Sequence, residues 1–179
     1  MLAIYAALAV ISATPASDVF VKQAEVIEAM NAAFPDVQVD IRWAPCHEEN
    51  SFYDPDTKTI GLCTEMEAHP GAAVFFAAHE MSHAILIQTA DDESEQDADE
   101  LASLALAQLG ERSALLDAAI YFEQEGNAHE AGDPHPGDRF RAWELACIED
   151  GSEAHPSSSQ CRALYQGLVI RYASRLKNP

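Results

Sequence analysis

Residues 72–87 read AAVFFAAHEMSHAILI, a run with no break for a turn and almost no polar face. A helix over about 70–89 built on this run is apolar nearly all round, and only the interior of a domain can accept one. Yet it carries His79, Glu80 and His83. Burying two imidazoles and a carboxylate is costly unless something pairs with them. Histidines at i and i+4 project from one face, one turn apart, and both can reach a single metal ion. Glu80 is offset by about 100° around the helix. That sets it beside the ion rather than on it, where it can take a proton from a water the ion activates. The bland alternative is a pair of satisfied core histidines with no metal.

A metal site here needs a third ligand. Beyond His83 the helix runs about six more residues, roughly 9 Å at the helical rise. The loop ADDES (90–94) then turns the chain back. Ser94 is a good N-cap for a helix over 94–109 with acidic residues in its first turn. Five loop residues span up to about 17 Å, enough for an antiparallel helix to return Glu95 to the metal. Glu93 is the rival. Asp99, one turn further on, falls near the level of His79 and can hold the outer ring nitrogen of a histidine ligand. Ala98 and Ala102 lie next to Glu95 and Asp99 and permit close approach of the two helices. Asp91, Asp92 and Glu93 otherwise read as a solvated acidic loop.

The remaining pattern is a small sheet followed by helices. Ser17 or Asp18 caps a first helix that ends at Pro35, with Val19, Val26, Ile27, Met30 and Phe34 on its apolar face. Val37, Val39, Ile41 and Trp43 alternate with Gln38, Asp40 and Arg42, the period of a half-buried strand. SFYDPDTKTIGLC (51–63) reads as a hairpin turning at Asp54-Pro55-Asp56. Further helices are expected over 112–125, 137–149 and 158–176. Strands preceding a run of helices indicate an α+β fold, and without repeats or low-complexity linkers residues 17–179 make one domain.

The 179 residues carry a net charge of −20, which disfavours nucleic acid and anionic membrane surfaces as partners. Residues 1–16, MLAIYAALAVISATPA, hold no charge, and their apolar run is too short to span a bilayer. They read as a secretory signal cleaved near Ala13 or Ala16, without the usual positive start; a buried N-terminal helix is the other reading. After cleavage no stable membrane span is expected. Four cysteines fit export. Cys46 and Cys63 bracket the hairpin, and Cys147 and Cys161 bracket a polar segment, so two local disulfides in an oxidising compartment, periplasmic or extracellular, are expected. No cysteine pair has the two-residue spacing of a zinc thiolate site.

HEMSH followed by EQDAD resembles the zincin metallopeptidases whose third ligand is the glutamate of a Glu-x-x-x-Asp motif on the next helix, an arrangement shared by the CAAX-type membrane endopeptidases. The segment CHEENSFYDPDTKTIGLC (46–63) also resembles one found ahead of the His-Glu-x-x-His helix in a family of mostly exported bacterial metallopeptidases. The late cysteines and HPGDRFRAWELACIEDG are similar to the end of that family, so the likeness spans roughly residues 20–175. Ser82 stands where the family commonly has glycine. The resemblance implies a zincin-like fold and peptide hydrolysis. His135 and Arg139 match a His-Pro…Arg element of related zincins, where one of them would stabilise an oxyanion; a structural ion pair is the plain reading of Arg139. In zincins an edge strand borders the cleft, here expected at Thr59–Leu62, and a peptide substrate adds to it through main-chain hydrogen bonds. His47, His69, His129 and His155 read as surface histidines, and Phe52 and Tyr53 on the hairpin and Tyr121 on a later helix as plain core.

The expectation is thus an exported zinc metallopeptidase acting on peptide or protein substrates. One Zn2+ is held by His79, His83 and Glu95, with Glu80 as general base. The alternative is a metal-stabilised binding module that hydrolyses nothing.

Overall fold

The computed structural model describes residues 17–91, 94–125 and 137–175, and is α+β: a three-stranded sheet with six helices. The expected leader 1–16, Glu93, His129 and His135 lie outside the described residues. Helix α1 spans Asp18–Ala33 and is capped by the Ser17 hydroxyl, which accepts from the Phe20 N–H. Strands β1 (Asp40–Ala44), β2 (Ser51–Asp54) and β3 (Thr59–Cys63) follow, then a short 3₁₀ turn. Helices α2 (Pro70–Ala90), α3 (Glu95–Leu109), α4 (Arg112–Glu125), α5 (Asp138–Ser152) and α6 (Ser159–Arg175) complete the order. One hydrophobic core draws on all six helices and β3, with Ile27, Ile60, Phe75, Leu106, Leu115, Leu145 and Leu168 among its members.

As its composition demands, α2 is the central element, buried from Ala72 almost continuously to Leu86. Proline at its first position suits a helix start, where the missing N–H has no intrahelical partner to lose. Gln23, buried on α1, ties three elements together. Its amide donates to the Ala73 carbonyl at 3.0 Å and its oxygen accepts from the Trp43 indole at 3.3 Å. At the other end of α2, Gln88 donates to the Gln38 carbonyl and the Tyr53 hydroxyl, both at 2.9 Å. These two glutamines fix how the sheet sits on the helix.

The sheet order is β1-β3-β2, with β1 parallel and β2 antiparallel to β3. The hairpin forms as expected, but Thr59–Leu62 is not an edge strand. β3 is central and every residue in it is buried. The reason is legible in TIGLC, which presents little polar surface on either face and so needs cover on both sides. The edges fall to β1 and to β2, whose Phe52 is 49% exposed and lies over Gly61, where any added Cβ would strike its ring. The alternating segment 37–43 forms a strand only from Asp40, although Val37 is already buried.

Both expected disulfides are present. Cys46–Cys63 ties the loop before β2 to the end of β3, and Cys147–Cys161 ties α5 to α6. α5 runs three residues beyond its expected end, to Ser152. There Gly151 packs against the Cys161 backbone carbonyl, leaving no room for a side chain.

Candidate metal centre

His79 and His83 sit in the middle of α2, where burial and the helical repeat leave their rings one turn apart on the face toward α3. Asp91 adopts a left-handed conformation (φ 52°) that caps α2. Ser94 caps α3 by accepting from the Asp97 N–H, and the buried Ala98 and Ala102 let α3 lie close. The first turn of α3 therefore returns to the histidines. Glu95 Oε2 stands 3.2 Å from His79 Nε2 and 3.0 Å from His83 Nε2, and the two Nε2 atoms are 3.0 Å apart.

A tetrahedral ion with bonds of about 2.0–2.1 Å needs donor–donor separations of about 3.3 Å. The triangle of 3.0, 3.0 and 3.2 Å is close to one face of such a site. Two imidazole nitrogens and a carboxylate oxygen are also donors that suit a divalent cation. His79, His83 and Glu95 could therefore hold a metal ion. Among the described residues the donor set has these three members, and it opens into a cleft of about 530 Å³ lined also by Glu80, Phe76, Ile87 and the β2 residues Ser51, Phe52 and Tyr53.

The second nitrogen of His79 is engaged from behind. Its Nδ1 lies 2.8 Å from Asp99 Oδ1, as the position of Asp99 one turn along α3 predicts. Burial by itself lowers the basicity of His79, but Asp99, then Glu95 and Glu80, more than reverse this and push it up to about 10. Without a metal, this constellation holds a proton on the imidazole; a metal ion and that proton compete for the same ring. Burial would likewise raise Asp99, but His79 and Arg141 outweigh it and hold it below the ordinary carboxylate range.

Arg141 on α5 is the polar residue at this site that the motif reading missed. Its Nε is 2.8 Å from Asp99 Oδ2 and its Nη2 donates to Asp99 Oδ1 at 2.8 Å. The guanidinium stacks over the Phe122 ring, 4.0 Å from its centroid. A signal was available: Arg141 shares a helical face with Leu145 and Ile148, and a charge on an apolar face requires a partner. Arg139, two residues earlier, is exposed and lines a different groove with Leu116, Ile120 and Trp143. His47 and His155 are exposed and His69 is half-buried against Tyr121. Tyr121 packs edge-on to Phe76, which lines the cleft.

One turn beyond Arg141, Glu144 is 3% exposed. Burial, then the Glu100 and Asp99 carboxylates, push it up to about 7, with Arg171 and Arg141 pulling partly back. A folded-state value above the unfolded 4.5 means that the folded protein binds the extra proton between these values. This contribution to stability is complete below about pH 4.5 and is lost as pH rises through 7, with a span of roughly 3 kcal/mol. Glu144→Gln should remove it. In urea unfolding of metal-free protein, the variant should gain on wild type as pH rises from 5 to 8. A gap that stays constant with pH would show that Glu144 does not titrate this way.

Comparisons of the chain with protein-family models, curated proteins and solved structures found no match.

Proposed function

We propose that this protein is a zinc-dependent metallopeptidase with a zincin-like arrangement, exported to an oxidising compartment. The observation that carries the reading is the triangle of His79 Nε2, His83 Nε2 and Glu95 Oε2, with sides no longer than 3.2 Å, opening into a cleft that Glu80 also lines. Among the described residues the donor set has three members, and three protein ligands with a position left open are the pattern of a catalytic rather than a structural zinc site. A zinc ion there supplies Lewis-acid polarisation of a carbonyl and brings the pKa of a coordinated water toward neutrality.

The chain's own residues supply the rest. Glu80 takes the proton of the attacking water. It then hands that proton to the amine nitrogen as the carbon–nitrogen bond breaks. Asp99 holds the outer nitrogen of His79, which favours the tautomer with its lone pair on Nε2. β2 forms one wall of the cleft and, at the end of the order β1-β3-β2, has an edge that no described strand pairs. An extended peptide can add to that edge by main-chain hydrogen bonds, a mode that selects for an extended backbone more than for particular side chains. The two disulfides are in keeping with export to an oxidising compartment.

Metal analysis of the purified protein should find about one zinc per chain, and zinc-loaded protein should cleave members of a mixed peptide pool. Stoichiometric zinc with no cleavage would favour the non-catalytic binding module instead.

A further inference from the structure

We infer that Arg141 is a positioning residue for the metal ligand His79, acting through Asp99. This rests on the metal-centre reading above. Three features of the geometry carry it. First, the guanidinium meets both oxygens of Asp99: Nη2 donates to Oδ1 at 2.8 Å, and Nε lies 2.8 Å from Oδ2 as an ion-pair contact without hydrogen-bond alignment. A charge-assisted hydrogen bond to one oxygen with the cation beside the other restrains a carboxylate more than a distant point charge does. Second, the Oδ1 held by Nη2 is the same atom that lies 2.8 Å from His79 Nδ1. The orientation of the carboxylate therefore sets the orientation of the imidazole and the direction of Nε2. Third, Arg141 is itself held in place: it is 5% exposed and stacked on Phe122, so it cannot relax toward solvent.

Charge balance points the same way. Glu80, Glu95 and Asp99 bring three carboxylates to a largely buried site. When all three are ionised, Arg141 neutralises one charge and a divalent cation neutralises the other two. Buried charges that lack this compensation are expensive. The arrangement also makes α5 part of the metal centre, although Arg141 lies far along the chain from the motif helix. The Cys147–Cys161 bridge anchors α5 to α6 two turns beyond.

The test measures zinc affinity by chelator competition, with the visible spectrum of the cobalt-substituted full chain and the melting temperature recorded alongside. Arg141→Met should weaken zinc binding about 10-fold or more, within the range for residues that orient a ligand, and should alter the cobalt bands. Arg141→Lys, which keeps the charge but not the guanidinium that reaches both Asp99 oxygens, should fall between Met and wild type. It carries the comparison if Arg141→Met does not fold. In an Asp99→Asn background, Arg141→Met should weaken zinc binding little further, because its route to the metal is already gone. A Trp143→Ala control, on the exposed side of α5, should leave affinity and spectrum unchanged. Arg141 variants that lose melting temperature but bind zinc as wild type does would overturn the inference, as would full additivity with Asp99→Asn. Wild-type protein that binds no zinc would instead remove the metal-centre reading itself, and this inference with it.

Discussion

Glu80→Gln is expected to retain stoichiometric zinc and a near-normal melting temperature while hydrolysing peptides at least about 10²-fold more slowly, the lower end of what a general base contributes. The substitution preserves size and most hydrogen bonding, and removes only the ability to accept a proton. Glu80 lines the cleft beside His79 and His83 but is not one of the three described residues that could hold a metal ion. Its loss should therefore separate chemistry from metal binding. The check is initial rate on the best peptide of the pool, with zinc content measured on the same sample. A Glu80→Gln protein as active as wild type would place the chemistry elsewhere.

His79→Ala should fail differently, losing metal and stability together. It removes one vertex of the donor triangle and also the partner of a carboxylate that is 2% exposed. A bound metal at a thousand times its dissociation constant contributes about 4 kcal/mol to folding, and stranding part of the Asp99 hydrogen-bonding capacity costs about 1–3 kcal/mol more. Calorimetry of wild type with zinc, wild type with chelator and His79→Ala should give melting temperatures in descending order, the last unresponsive to zinc. A His79→Ala protein that binds zinc stoichiometrically, or a wild type indifferent to chelator, would sink the assignment of the ligands.

Together these variants weigh the two ways a buried His-Glu-x-x-His helix can be used. A module that binds metal only to hold itself together would respond to His79→Ala but would have no hydrolysis for Glu80→Gln to remove. An enzyme responds to both, each in its own measurement.

Much of the site was legible in the sequence because its spacing is local. The i, i+4 pair, the capping serine at position 94 and the alanines at 98 and 102 lie within two helices and one short loop, so helical geometry alone brings Glu95 and Asp99 to the histidines. The disulfide pairs close short segments for the same reason. Other features were decided only by tertiary structure. β3 rather than β2 took the centre of the sheet because β1, from outside the hairpin, covers its other edge. Arg139 and Arg141 differ by two residues, about 200° around a helix. Only the packing of α5 against α3 and α4 shows that Arg141 turns inward to Asp99 while Arg139 faces solvent. Glu144 is similar: its burial among other carboxylates comes from helices far apart in the chain, and no local spacing records which faces they present to each other.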